Sequence, residues 1–383
     1  MIIDSDTHVI ENPDLFDKYL DPKFENRKPR LMQLENVTYW FIDGQLIPKP
    51  PGSRGVGTDV GFAHPKGGLM KSRNMKAKNG SFDDVPGRLS DLDTTGVDVQ
   101  VIFPTTMLGA CHLEDTELAA GMCRAYNDYV AQGSEKGDGR LRPLATVPLQ
   151  DPVAAVEELR RAVRELHLTG VVIPGLVGDK PLDSPEFFQF FKEADSLNVP
   201  IGVHSVTGAY DLPWANLFKN FFYTHMVAMP FAQMTAIMTL IGGGILERLP
   251  NIRFGLMESG CSWLPFWSWW LDKHVERRQM MAERKEEFGV KLYRHVYDLP
   301  EMKKLPSEYI KNGRIFVSAE PMEDDLPWVL KTMGEEMILF ATDYPHGDAD
   351  FPNGLKEFQG RTDITEEQKR KILEENPKKL YNL

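Results

Sequence analysis

Eight short apolar, β-branched runs recur along the chain with helix-like segments between them, and this alternation limits the possible folds more than any other feature. The runs cover residues 1–4, 97–103, 144–147, 170–173, 200–204, 252–257, 314–318 and 337–342. Three of them stop at prolines (Pro104, Pro148 and Pro174), which cannot donate to a strand ladder. Between the runs lie amphipathic segments at 151–166, 184–197 and 326–333. The first opens with Asp151-Pro152, an N-cap residue followed by proline at the first helical position. Strands alternating with helices imply a parallel sheet. Eight such units with none left over favour an α/β fold of the (β/α)8 TIM-barrel type over an open doubly wound sheet. No GxGxxG follows the first run, which also argues against a dinucleotide fold. The expectation is one barrel domain spanning residues 1–383.

Two stretches exceed ordinary connections. After the first run, a long insertion covers about 30–85. Within it, Thr38-Tyr39-Trp40-Phe41 and Leu46-Ile47 flank Asp43-Gly44 in the manner of a hairpin. Its Gly-rich remainder, 50–79, has the composition of a lid or a disordered loop. After the sixth run, a helical insertion at about 264–312 follows Trp263 and carries Phe266, Trp267, Trp269 and Trp270, which suit either packing on the barrel or an oligomer interface.

Charge and cysteine content narrow the function. The formal charge of −12 repels nucleic acid and anionic membrane, so neither is an expected partner. The three cysteines lack CxxC spacing, which argues against a disulfide framework or a thiolate zinc site and fits a reducing cytoplasm. The first residues show no basic, apolar leader. The longest apolar stretch, 226–245, is broken by Pro230, Gln233 and a glycine triplet, and is expected to be a buried helix ending at Gly242 rather than a membrane span.

Barrel enzymes place their chemistry at the C-terminal ends of the strands. Here the first run leads into Asp6 and His8, the fifth ends in His204, the sixth in Glu258, the seventh in Glu320 and the eighth in Asp343. Metal-competent side chains therefore gather on the first and the fifth to eighth strands, which are contiguous in a closed barrel. Asp6 and His8 are two apart, so in an extended chain both point the same way. Two imidazoles with several carboxylates form a donor set for one or two divalent ions, Zn, Mn or Fe. Each residue also has a plainer reading. His8 and His204 could be hydrogen-bonded core histidines, Asp343 a turn residue, Glu258 a salt-bridge partner of Arg253, and Glu320 one of Arg314. Glu11 and His225 are additional candidates, and His346 suits a substrate contact. Trp40, Phe41 and the 226–231 segment are candidate pocket walls.

These residues sit in motifs that resemble the amidohydrolase superfamily, in the branch of aminocarboxymuconate-semialdehyde decarboxylase and related aromatic-acid decarboxylases and hydrolases. The motifs are Arg88-Leu89-Ser90-Asp91-Leu92-Asp93, Gly243-Gly244-Ile245-Leu246-Glu247-Arg248-Leu249-Pro250 and Ala341-Thr342-Asp343-Tyr344-Pro345-His346. The resemblance implies that Asp6, His8, His204 and Asp343 hold a catalytic metal, with Asp343 also taking a proton from metal-bound water. Decarboxylases of this branch carry a histidine at strand six, where this chain has Glu258, so Glu258 is expected as a proton shuttle or as a ligand. The leading expectation is metal-dependent hydrolysis of a small organic amide, ester or related acid, with Glu258 or His346 assisting the leaving group. The alternatives are a dinuclear iron or iron–manganese monooxygenase, a non-oxidative decarboxylase, and a non-catalytic partner subunit. The expected partners are a small-molecule substrate and either copies of the same chain or a related subunit.

Overall fold

The computed structural model describes residues 1–34, 37–47, 80–205, 214–283, 302–347, 349 and 351–383. In it the eight runs form one eight-stranded sheet in chain order. Its strands are β1 (Ile3–Val9), β2 (Val99–Pro104), β3 (Leu141–Thr146), β4 (Gly170–Ile173), β5 (Pro200–Val203), β6 (Arg253–Leu256), β7 (Ile315–Ala319) and β8 (Ile338–Phe340). Every neighbouring pair is parallel. The sheet closes on itself where Thr7 bridges Tyr344, also in parallel. At that seam His8 N donates to Tyr344 O (2.6 Å) and Asp343 N to Asp6 O (3.1 Å). Thr342 adds two bonds to the Asp4 carboxylate, from its N (3.1 Å) and its Oγ1 (2.5 Å). The architecture is the (β/α)8 TIM barrel.

Strands β4, β5 and β8 are buried on both faces, as a parallel sheet wrapped in helices requires. Ile3, Val101, Phe103, Leu144, Val172, Met257, Phe316 and Leu339 pack together as one buried cluster. Phe103 fits because β5 carries glycine beside it. A Cβ on Gly202 would lie 2.5 Å from the Phe103 ring. Each fully buried side chain of this size contributes about 1.5–3 kcal/mol by leaving water.

Several strand boundaries differ from the sequence expectation, and at three strands the cause is visible. β1 continues to Val9 because Asp6 and His8, which interrupt the apolar run, are themselves buried. β3 starts at Leu141, its first half hidden in the sequence by Arg142 and Pro143. β8 ends at Phe340 because Thr342 turns to Asp4. The helix expected at 151–166 is Pro152–Arg164, capped by the Asp151 carboxylate on Val153 N and Ala154 N. The one expected at 184–197 is a short 3-10 turn followed by Phe188–Ser196, and Leu326–Met333 is helical throughout.

The hairpin belongs to a three-stranded antiparallel sheet, Arg30–Leu34, Val37–Ile42 and Gln45–Ile47. Its two-residue turn has Asp43 and Gly44 both at positive φ (48° and 79°), the geometry that matches strand twist. Trp40 is fully buried edge-to-face against Phe16, so it is core and not a pocket wall. Residues 50–79, read as a lid or loop, lie outside the described residues.

The apolar stretch begins earlier than expected, as helix Phe221–Gly242. By length and a mean hydropathy of 1.3 it could cross a membrane, yet half of that window is buried in the protein. Ala228, Ala232, Ala236 and Leu240 face inward, while Phe222, Tyr223, Met226, Phe231 and Met238 are exposed, which corrects the expectation of a fully buried helix. The aromatic helix Leu264–Glu283 lies beside it, with Trp267 Nε1 donating to Met234 O at 2.9 Å. Its Phe266, Trp269 and Trp270 are exposed. The three cysteines are free and buried.

Candidate metal centre

Four of the expected side chains converge at the C-terminal mouth of the barrel. Asp6 and His8 lie on β1, two residues apart, and both are buried. His204 follows β5 directly, and Asp343 follows β8 by three residues. His8 Nε2 lies 3.5 Å from Asp6 Oδ1 and 3.1 Å from Asp343 Oδ1. His204 Nε2 lies 3.7 Å from Asp6 Oδ2 and 2.8 Å from Glu258 Oε2. The two imidazoles meet edge-to-face with centroids 4.9 Å apart. Asp6 thus turns one oxygen to each histidine.

Each imidazole is fixed from behind. His8 Nδ1 donates to Pro104 O and His204 Nδ1 to Ser205 O, both at 2.8 Å. Those bonds hold each Nδ1 and turn each Nε2 into the centre. His8 Nε2, His204 Nε2, Asp6 Oδ1 and Asp343 Oδ1 are all buried without a hydrogen-bond partner. A buried polar atom without a partner is costly, and four acceptors in one place are rarer still. One potential donor atom each from Asp6, His8 and His204 falls within a 4.8 Å cluster, and a second such cluster joins His8, Asp343 and His346. The arrangement fits a divalent cation.

The electrostatics agree. Burial, then the neighbouring His346, pushes His8 down to about 3, so its imidazole is neutral, as a ligand must be. Burial raises the Asp6 carboxyl well above its ordinary value, and Asp343 and Glu258 add to that, with His204 opposing. For Asp343 burial also pushes upward, but His346 and His8 outweigh it and hold the carboxyl below the usual range. A cation among these groups would relieve the repulsion between their carboxylates.

His346 stacks on His8 with centroids 4.0 Å apart, donates Nδ1–H to Asp343 Oδ2 (2.9 Å), and reaches Thr105 Oγ1 through Nε2 (3.0 Å). Glu258 sits two residues past β6 at φ 55°, its N donating to Ser318 Oγ at 3.1 Å. Asp343 has φ 60°. Both non-glycine residues occupy left-handed backbone, which costs about 1–3 kcal/mol and is typical of functional sites.

The three additional candidates lie elsewhere. Glu11 is buried, and its carboxylate accepts from Thr105 N, Thr106 N and Met107 N (3.1, 2.9 and 3.0 Å), so it orders the loop after β2 instead of facing the histidines. Glu320 is exposed, and its N donates to Glu323. His225 is half-buried in helix Phe221–Gly242, with its ring against Phe221.

Sequence reasoning missed supporting residues. Arg88 is fully buried, donating to His8 O (2.8 Å) and Gln100 Oε1 (2.9 Å). Asp91 accepts from Tyr344 OH at 2.7 Å. The 88–93 motif therefore clamps β1 to the segment after β8. Gln233 donates to Val203 O and Met257 O, tying the ends of β5 and β6. Thr105 had one available signal, a polar residue just past a strand-ending proline.

A (β/α)8 barrel with a carboxylate–imidazole cluster at the C-terminal strand ends defines an enzyme of the metal-centre type. The amidohydrolase family profile matches residues 3–383, and the chain belongs to that family. It is 27% identical over 263 residues to 2-amino-3-carboxymuconate-6-semialdehyde decarboxylase of Dictyostelium discoideum, covering 67% of this chain and 66% of that protein, just under two thirds. It is 26% identical over 307 residues to gamma-resorcylate decarboxylase of a Rhizobium strain, covering 77% and 86%. Its fold matches crystalline 5-carboxyvanillate decarboxylase of Novosphingobium aromaticivorans, complexed with manganese and 4-hydroxy-3-methoxy-5-nitrobenzoic acid. That match has a TM-score of 0.70 and 19% identity, and covers 100% and 96% of the two chains.

Proposed function

We propose that this protein is a metal-dependent non-oxidative decarboxylase of a small aromatic or similarly unsaturated carboxylic acid. This reading ranks above the hydrolysis expected first, because the curated relatives are decarboxylases across most of their length. The observation that carries it is the set of four buried, partnerless donor atoms on Asp6, His8, His204 and Asp343. These residues would hold the metal, and two carboxylates with two imidazoles suit manganese or iron. When bound, the ion supplies positive charge that anchors the substrate's oxygen atoms and draws electron density from the scissile bond.

The chain's own residues then handle the proton. The bond from the carbon framework to the carboxylate breaks, its electron pair stays with the carbon, and carbon dioxide leaves. That carbon takes one proton, which solvent later restores. His346 is the group suited to deliver it, since Asp343 fixes one ring nitrogen and the other is within reach of Thr105. Phe103, against the rings of both His8 and His204, gives the floor an apolar wall.

A second reading, hydrolysis of an amide or ester, is favoured by Glu258. A carboxylate beside His204 is suited to accepting a proton from attacking water. The test is to incubate manganese-loaded protein with hydroxybenzoates and carboxyvanillates in deuterated water. Decarboxylation releases carbon dioxide and leaves one deuterium at the vacated carbon. If no acid loses carbon dioxide while aryl esters are cleaved, hydrolysis replaces it.

A further inference from the structure

We propose that the paired helices Phe221–Gly242 and Leu264–Glu283 form the docking face for a second copy of this chain, joined about a two-fold axis. The inference does not depend on the metal-dependent reading above.

Three observations carry it. The first is the size of the apolar face. Phe222, Tyr223 and Phe231 are exposed along helix Phe221–Gly242, as are Phe266, Trp269 and Trp270 along Leu264–Glu283. Their exposure runs from 37% at Trp270 to 64% at Phe222. At half of the 150–250 Å² that an aromatic side chain can bury, the six offer about 600 Å². Met226 and Met238, 55% and 39% exposed, bring the face close to the roughly 800 Å² that each partner gives to a stable interface. The largest apolar patch on a monomeric protein is usually only about 300–600 Å².

The second is rigidity. Trp267 Nε1 donates to Met234 O at 2.9 Å and locks the two helices side by side. Phe266 stacks on Trp270 with centroids 5.9 Å apart, and Trp270 lies 6.0 Å from Trp269. Phe222 meets Tyr223 edge-to-face at 5.7 Å. Rings that already hold one another lose little freedom on docking.

The third is charge, which selects the occupant. Helix Phe221–Gly242 contains no Asp, Glu, Lys or Arg in its 22 residues. It offers nothing to select an acidic or a basic partner, and it lacks the basic residues with which a surface helix meets lipid headgroups. Two chains of formal charge −12 repel each other and can meet only where that charge is absent, which this helix provides. A two-fold axis lets the same apolar patch cover itself, and four helices then pack across it as in a bundle. On its inner side the same helix ties the strands that lead to His204 and Glu258, because Gln233 Nε2 donates to Val203 O and Met257 O, both at 2.9 Å.

The experiment is sedimentation velocity of the purified full chain at micromolar concentration, wild type against Phe231→Glu combined with Trp269→Glu. The expectation is a dimeric wild type, with dimer affinity lowered at least about hundredfold in the charged variant. Circular dichroism checks that the barrel is intact. Should the charged variant misfold, Phe231→Ala with Trp269→Ala is the substitute, expected to weaken the dimer by about tenfold or more. Val153→Glu, at another exposed apolar position, should leave the dimer unchanged. A monomeric wild type would overturn the proposal, as would a dimer that survives both double variants or falls apart with Val153→Glu. Flotation of wild type with phosphatidylcholine vesicles, lost in the charged variant, would assign the face to lipid and overturn the second copy as its occupant.

Discussion

His346 gives its Nδ1–H to Asp343 Oδ2 across 2.9 Å while its ring lies flat on that of His8, 4.0 Å away. One imidazole thus orients a carboxylate of the centre and covers one of its histidines. With His346→Gln, the stack is lost and so is the group that carries the proton. Turnover should fall by about 10²-fold or more, with manganese still bound. Steady-state kinetics beside metal analysis separates the two effects. Loss of metal together with activity would make His346 a support of the centre only.

Removal of the metal should destabilise the protein as well as silence it. At a free ion concentration of 100 times its dissociation constant, binding contributes about 2.7 kcal/mol. A chelator should therefore lower the melting temperature of wild type. His204→Ala should melt at the same temperature with and without manganese. A manganese-dependent shift surviving in His204→Ala would show that the ion binds elsewhere.

Relief of strain should be measurable at Glu258. Its φ of 55° suits glycine, and its charge adds to that of Asp6. Glu258→Gly is expected to stabilise the metal-free protein by about 1 kcal/mol. Urea denaturation in chelator is the readout, and a destabilised variant would mean that the side chain holds the loop.

Arg88 is buried beneath the centre and clamps the carbonyl of His8. Arg88→Ala leaves Gln100 and that carbonyl without their donor, at a cost of about 3 kcal/mol. Chemical denaturation measures it. A cost below about 1 kcal/mol would show that water replaces the guanidinium.

Glu11 supplies a pH test away from the metal. Burial raises its carboxyl above 4.5, with the amides of Met107, Thr106 and Thr105 opposing. The folded state therefore holds the proton more tightly than the unfolded one. The stability that this group contributes is full below 4.5 and declines as pH climbs from there through the folded-state value. Glu11→Gln should flatten that part of the stability profile and cost about 1–2 kcal/mol through the amide it leaves unpaired. Parallel denaturation curves from pH 4 to 7 check this, and identical slopes would refute it.

The strands were legible because each carries a short apolar, β-branched run, even where a polar residue such as Gln100 or Arg253 interrupts it. The first showed only in part, since Asp6 and His8 break its run for the sake of the site. The strand-end rule brought out Asp6, His8, His204, Glu258 and Asp343 together, because position along a barrel strand dictates position around the mouth. It also nominated Glu320, which sits beyond Ala319 but is exposed. Direction of the side chain depends on the loop that follows, and spacing does not encode that. Glu11 shows the same limit: a carboxylate near the site was visible, but the three amides it serves come from residues 105–107. His346 and Thr105 are 241 positions apart, and only the closed barrel brings them together.

The seam that shuts the barrel also orders events in time. Asp6 stands on the first strand of the sheet order and Asp343 beyond the last, and Asp343 N must reach Asp6 O before the two carboxylates stand together. An ion that needs both carboxylates would therefore be captured only after the ring has closed, and its uptake would report that closure.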